Sequence, residues 1–431
     1  MKHTRLAAAL ALAVPFSLPA HADELSDLRA TVQKLLAKVE QLEAQQMSQK
    51  AAAAAPVAAA PAYTGAPAPA GFIPVPGTST AVKLGGYVQL DGALDIKGDQ
   101  GRGVSLSDLP LDGSAGASRR NTSTLSARTT RLNVQTVTDT AGGPLKTRIE
   151  YDFFTSDGSE TYTNSARPRL RHAFGEYGRW LAGQTWSTFM DLDSVGDTLE
   201  FNGPTGQSFI RQAQLRYTLP LATGNLALAI ENPQADVRDA SGNAVAQDRL
   251  PDLIARWMQT GPWGHVAVRG LARDLRAEDG TGHRQADTLG WGLGLSGSLK
   301  LGAATTGLYQ LNVGKGIGRY IQDANAAVAY DATRVKLSAE KAVGGVIGVQ
   351  HAWNDALRSH LMWGFTRMDN GAGFGDVASL NTRTNQAYAN LIWTATKGLD
   401  LGVEYGWGNR RTEAGDKGDM SRLQGSVRYS F

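Results

Sequence analysis

Arginine outnumbers lysine 30 to 13 in this 431-residue chain. A guanidinium keeps its charge at any physiological pH and meets a carboxylate through two parallel hydrogen bonds, so grouped arginines suit carboxylate recognition. Arg131, Arg148, Arg171, Arg216, Arg256 and Arg269 lie in stretches where alternate residues share a face, and parity turns them towards the charged face. Arg211 directly follows a segment carrying Asp191, Asp193, Asp197 and Glu200. Acids on one side of a wet constriction and arginines on the other would orient a dipolar or anionic solute without trapping it. Tyr87 and Trp186 would add aromatic surface for a ring-bearing solute. The competing reading for each arginine is a structural pair with a neighbouring acid, such as Arg148 with Glu150 or Asp152. For the two aromatics it is packing at a loop base.

Other chemistry has little support. Without cysteine there are no disulfides, thiolate metal sites or thiol catalysis. The seven histidines form no H-x-x-x-H or H-E-x-x-H pattern, and neither G-x-S-x-G nor a P-loop occurs. The Asp-rich loops match no EF-hand spacing. His172 is the one candidate for a lipase-like pair with serine, no serine is clearly paired with it, and it reads as a rim or oligomer-contact residue. The expectation is no enzyme, no cofactor and no metal. A formal charge of +3 is too near neutral for nucleic-acid binding by bulk charge.

The elements that must hold the arginines read as strands. Charged residues are 19% of the chain and glycines number 50, a low-charge, glycine-rich composition. From residue 82 to the end, segments of about ten residues alternate apolar with polar or small. Lys83 to Asp91 is one example; Arg148 to Phe153 is another, with charge in mid-strand. Sixteen strands are expected, near 82–95, 125–138, 145–154, 169–177, 179–187, 209–219, 225–231, 250–259, 263–274, 287–299, 303–315, 343–353, 357–367, 383–395, 399–411 and 421–431. Short turns alternate with long connections, and seven tryptophans (180, 257, 263, 291, 363, 393 and 407) fall in or beside strands. A soluble sandwich also alternates. Charged mid-strand faces, two unequal rims and aromatic girdles favour an all-β, sixteen-stranded antiparallel transmembrane barrel with a wet lumen. An even strand number places both barrel ends on the periplasmic side. The chain ends on Phe431, two residues after Tyr429, resembling the signal read by barrel assembly machinery.

Upstream, residues 1–22 have a basic start, an apolar run and an Ala20-His21-Ala22 cleavage site, the pattern of an export signal. Residues 23–49 carry Leu25, Leu28, Val32, Leu35, Val39 and Leu42 at spacings alternating between three and four, the seam of a coiled coil. About three heptads make no stable lone helix, so the seam implies self-association. Residues 50–81, rich in Ala and Pro, read as a flexible linker. The barrel then spans 82–431.

The runs Leu170 to Tyr177, Gly183-Gln184-Thr185-Trp186-Ser187 and Leu199 to Pro204 resemble the DcaP-like porins, with the G-Q-T-W-S stretch the most specific part. The resemblance covers essentially the whole mature chain. It implies a homotrimeric outer-membrane channel of Gram-negative bacteria with a periplasmic coiled coil. It also implies uptake of small anionic solutes, including dicarboxylates and aromatic dicarboxylates. Expected partners are outer-membrane lipid and lipopolysaccharide, the barrel assembly machinery and the solute, with peptidoglycan or a periplasmic protein as a further contact of the stalk. Two other readings remain open: a general, poorly selective porin, and an envelope tether acting through its stalk.

Overall fold

The computed structural model describes residues 22–53, 62–239, 242–280, 282–371 and 377–431, with backbone alone for 22–29 and 49–53. The expected export signal therefore lies outside the described residues, apart from the backbone of Ala22, as do the side chains of Leu25 and Leu28. The chain divides into two units, Met1–Ala62 and Tyr63–Phe431.

The first unit contains a helix, α1, over Ala22–Ala53. Its seam residues Val32, Leu35, Val39 and Leu42 are all about half exposed, and so is Leu36.

The second unit is the sixteen-stranded antiparallel barrel read from the sequence. Its strands are β1 Thr80–Lys97, β2 Arg131–Thr140, β3 Gly143–Asp152, β4 Arg169–Tyr177, β5 Trp180–Trp186, β6 Arg211–Leu221, β7 Gly224–Glu231 and β8 Asp252–Gly261. They continue as β9 Gly264–Asp279, β10 Gln285–Lys300, β11 Thr305–Lys315, β12 Lys341–Ala352, β13 Leu357–Asp369, β14 Asn381–Thr396, β15 Leu399–Thr412 and β16 Lys417–Ser430. Each pairs with the next, and β16 returns to β1 from Tyr87↔Ser430 to Lys97↔Ser421, so no edge is left open. Phe431 completes that seam: its N–H donates to the Gly86 carbonyl at 3.1 Å and its carbonyl accepts from Gly86 N–H at 3.3 Å.

The two faces are inverted relative to a soluble sheet. Leu84, Ile149, Leu289, Leu293, Ile347 and Leu361 stand outward and exposed, while Glu150, Asp152, Arg269, Arg273 and Arg422 are buried inside. Trp180, Trp263, Trp353 and Trp393 are exposed at or beside the short turns, whereas Trp291 and Trp407 are exposed nearer the other rim. The short turns are possible because glycine supplies left-handed backbone, as at Gly178 (φ 60°) and Gly398 (φ 84°).

Three details differ from the sequence expectation. The barrel unit begins at Tyr63 rather than 82: Thr64 N–H donates to the Thr78 carbonyl at 2.9 Å, and Ile73–Pro74 pairs with Val82 and Ala81. The expected strand 125–138 is interrupted, because Thr122–Ser126 pairs with the upper half of β1 and β2 with the lower half. At the break, Arg128 donates to the carbonyls of Thr155, Asp157 and Ser165 at 2.8, 3.0 and 3.1 Å, pinning the second long loop. The connection expected at 275–286 is mostly strand, since β9 and β10 pair out to Glu278↔Gln285.

Long loops fold into the lumen and build a core there. Phe189 from the loop 187–210 packs with Ile317, Tyr320 and Ile321 from 316–340 and with inward Ile254, Leu271, Ala342 and Met368 of the wall. Val104, Leu106 and Leu109 of 98–121 pack on Met420. Burying a side chain of this size stabilises by roughly 1.5–3 kcal/mol, so these loops are held as firmly as ordinary core segments.

Candidate functional site

Strands β2, β3 and β4 place their charges in register. Arg131 faces Asp152, which faces Arg169; one step further, Asn133 faces Glu150, which faces His172. Between Glu150 and Tyr151 the β3–β4 register slips, leaving Arg171 as an extra residue. This bulge lets both Arg171 and His172 reach the buried inner side. His172 Nδ1 lies 2.9 Å from Thr185 Oγ1, so it sits on the inner wall rather than on the rim expected from the sequence.

Arg171 bridges the two acids, with Nε at 2.9 Å from Glu150 Oε1 and Nη1 at 2.8 Å from Asp152 Oδ2. Arg169 grips Asp152 bidentately at 2.9 and 2.8 Å. Arg148 pairs with Glu150, and Arg131 lies 3.4 Å from the same carboxylate. Arg211, at the start of β6, stacks over Trp186 with its guanidinium carbon 4.4 Å from the ring centre, and Arg171 approaches the same ring at 5.8 Å. Five guanidiniums thus gather around two carboxylates, leaving three positive charges in excess. Arg211 Nη1, Arg131 Nε and Arg148 Nε are buried without a hydrogen-bond partner. Aromatic rings border the group. Phe154 and Phe201 stack at 4.3 Å with Arg169 above both, and Tyr87 lies between Arg131 and Arg428 at 5.0 and 4.9 Å.

The remaining sequence candidates are elsewhere. Arg256 and Arg269 donate to the carbonyls of Met190 and Phe189 at 3.1 and 2.6 Å, fastening the loop 187–210 to the wall. Arg216 lies towards the short turns, opposite Leu181. Asp191 is fully buried and accepts from His265 Nε2 at 2.9 Å and Ser296 Oγ at 2.6 Å. Burial works against its ionisation, but these two hydrogen bonds prevail and hold its carboxyl below the usual range. Asp191, Asp193 and His265 bring three donor atoms within 4.8 Å of one another, yet Asp191 already spends its oxygen on the latch. Asp193 is exposed. Asp197 pairs with Arg358 at 2.9 Å, which also holds Asp400 at 3.0 Å. Glu200 is buried and accepts the backbone N–H groups of Val104, Asn202 and Gly203 at 2.8–2.9 Å, joining two loops. Complete enclosure pushes its carboxyl up to about 7 against the pull of those bonds.

The acids therefore do not form one free wall opposite the arginines; three of the four anchor the loop that carries them. The sequence reading missed Arg169, Arg358, Arg428, Phe154 and Phe201. Arg428 had a usable signal, since it shares inner-face parity with Gln424 and Ser426 on the last strand.

No curated protein sequence matches this chain. Among solved structures, the outer membrane channel DcaP of Acinetobacter baumannii is similar at 26% identity and a TM-score of 0.74, covering 85% of this chain and all of that one. An anion-selective porin from Comamonas acidovorans (14% identity, TM-score 0.52, 82% of this chain and all of that one) shares the fold. So does OmpT of Vibrio cholerae (10% identity, TM-score 0.52, 83% and 99%). The sequence profile of the DcaP outer membrane protein family matches residues 19–431. With a closed barrel, an inverted surface and a profile match over nearly its whole length, the chain belongs to the DcaP outer membrane protein family.

Proposed function

We propose that this outer-membrane channel admits small hydrophilic solutes passively and prefers anions, dicarboxylates and aromatic dicarboxylates among them. One observation carries the reading: the five guanidiniums around Glu150 and Asp152 exceed the acids by three charges, and some of their buried N–H groups have no hydrogen-bond partner among the described residues. Buried donors without partners gain from an anion that supplies oxygens, and flanking rings suit a planar one. Arg256, Arg269, Asp191, Asp197 and Glu200 serve the same passage by fixing the loop that narrows it. In this reading residues 1–22 are an export signal, α1 is a periplasmic trimerisation stalk, and Phe431 guides assembly.

The test is the reversal potential of the purified full-length protein in a planar bilayer under a potassium chloride gradient. Anion preference is expected, together with current block by succinate or phthalate. Replacing Arg131 and Arg148 with Gln should move the reversal potential towards zero. A wild-type channel without anion preference would sink the proposal and leave a general porin.

A further inference from the structure

Two residues along β3 from Arg148, about 7 Å nearer the short turns, a second charged row crosses the barrel wall. Lys146 faces Glu176, Glu176 faces Leu181, and Leu181 faces Arg216, so four consecutive strands contribute one residue each. With Arg179 and Thr218 these residues line a cavity of about 480 Å³. Within the row, the two cations Lys146 and Arg216 exceed the one acid, Glu176.

This row differs from the wall above it in how its charge is used. Arg171 and Arg169 are engaged by carboxylates, and Arg269 and Arg273 donate to loop carbonyls and side chains. Among the described residues, Lys146, Glu176 and Arg216 have no side-chain hydrogen bond or ion pair, although Lys146 and Glu176 are direct cross-strand partners. Arg179, on the adjoining turn, donates at 3.2 Å to the hydroxyl of Tyr217, which packs on exposed Trp180, so it stands beside the row rather than in it. No inward-folded loop is needed to explain these cations, and buried Leu181 forms an apolar floor between them.

We propose that Lys146 and Arg216 form a second anion site at the short-turn mouth, taking a small dianionic oxyanion between the arginine cluster and the periplasm. Short turns face the periplasm in outer-membrane barrels. The site rests on the anion preference proposed above and gives it a direction of exit. Two sites in series let a second anion at the upper cluster repel the first one out of the lower, which keeps binding compatible with release. Lysine is a mobile point charge without the guanidinium fork, so the lower site is the weaker of the two. Two separated cations favour a dianion over a monoanion.

The test uses the full-length protein in planar bilayers, with succinate or acetate added to one side at a time. In the wild type, succinate blocks from both sides and acetate from neither at the same concentration. In the Lys146→Gln/Arg216→Gln double variant, the binding constant of succinate from the short-turn side should fall about tenfold, the scale of one lost charge-assisted contact. Block from the loop side and the sign of the reversal potential should be retained. Glu176→Gln should act oppositely and strengthen short-turn-side block. Because these side chains have no internal partners, neither variant removes a contact the barrel needs. Unchanged block from the short-turn side in both variants would overturn the second site while leaving the anion preference intact. A wild-type channel without anion preference would overturn both.

Discussion

At the scale of single residues, Arg171 is the joint of the charged wall. It touches both Glu150 and Asp152, and its side chain is 2% exposed. Its loss leaves neither acid unpaired, because Glu150 keeps Arg131 and Arg148 and Asp152 keeps Arg169, but it removes two buried charge-assisted hydrogen bonds worth about 1.5–3 kcal/mol each. Arg171→Met should therefore lower unfolding stability in lipid vesicles by that order, as urea titration would reveal. Arg148→Met should cost far less, because its side chain is 38% exposed and Glu150 keeps Arg171 and Arg131. Equal losses in the two variants would contradict this division of labour. Glu200 gives the pH dependence. Its carboxyl is raised to about 7 in the fold against an ordinary 4.5, so the folded state prefers the protonated acid. The relative stability is fully present below about pH 4.5 and is lost as pH rises through about 7. Compared with Glu200→Gln, which does not titrate, the wild type should lose up to about 3 kcal/mol between pH 4.5 and 8. A flat difference across that range would contradict the shift.

At the scale of elements, the inward loop 187–210 fits because the wall beneath it is glycine. A Cβ on Gly364 would come within 2.1 Å of the Thr205 carbonyl oxygen, one on Gly344 within 2.6 Å of the Gly206 oxygen, and one on Gly402 within 2.8 Å of Leu199. Gly364→Val should push the loop into the passage and lower single-channel conductance, with the strand pairing retained. Conductance and open-channel noise equal to wild type would show that the loop does not depend on this floor. The glycines also explain which parts of the fold were readable from the sequence. Period-two alternation carries strand identity locally, so β9 and β10 were visible at 263–274 and 287–299. A glycine on the inner face carries no mark of what will rest on it. The seats of Phe189, Leu199 and Ile321 are set by contacts far apart in sequence. The β4 bulge was equally invisible: alternation from Arg169 turns Arg171 inward, and His172 joins it there only because alternation fails at that next step. The acids of 187–210 looked like a charged face because their types were visible and their partners, Ser296, Arg358 and the Val104 N–H, were not.

At the scale of the whole molecule, the barrel satisfies its own backbone and needs no neighbour for that, whereas α1 leaves a seam uncovered. Val32, Leu35, Val39 and Leu42 are 47%, 60%, 49% and 56% exposed. Four such residues on one stripe of an otherwise polar helix gain about 1.5–3 kcal/mol each on full burial. Most helical stability in proteins comes from packing an apolar face, so the proposed association would also steady the helix. In the trimer proposed above, a second and third copy of the same stripe would supply the complementary surface in register, each knob meeting a hole built from identical residues. Leu35→Glu with Val39→Glu would bring like charges together at the centre of that seam. The double variant should still form the barrel, because the ladder of β1 to β16 closes within its own unit. The proposed trimer should dissociate at lower temperature in detergent, and an isolated peptide of residues 23–53 carrying both changes should lose helical circular dichroism and sedimentation mass together. Mass and heat resistance identical to wild type would assign trimer cohesion to the barrel walls alone and leave the stripe to a partner outside the trimer.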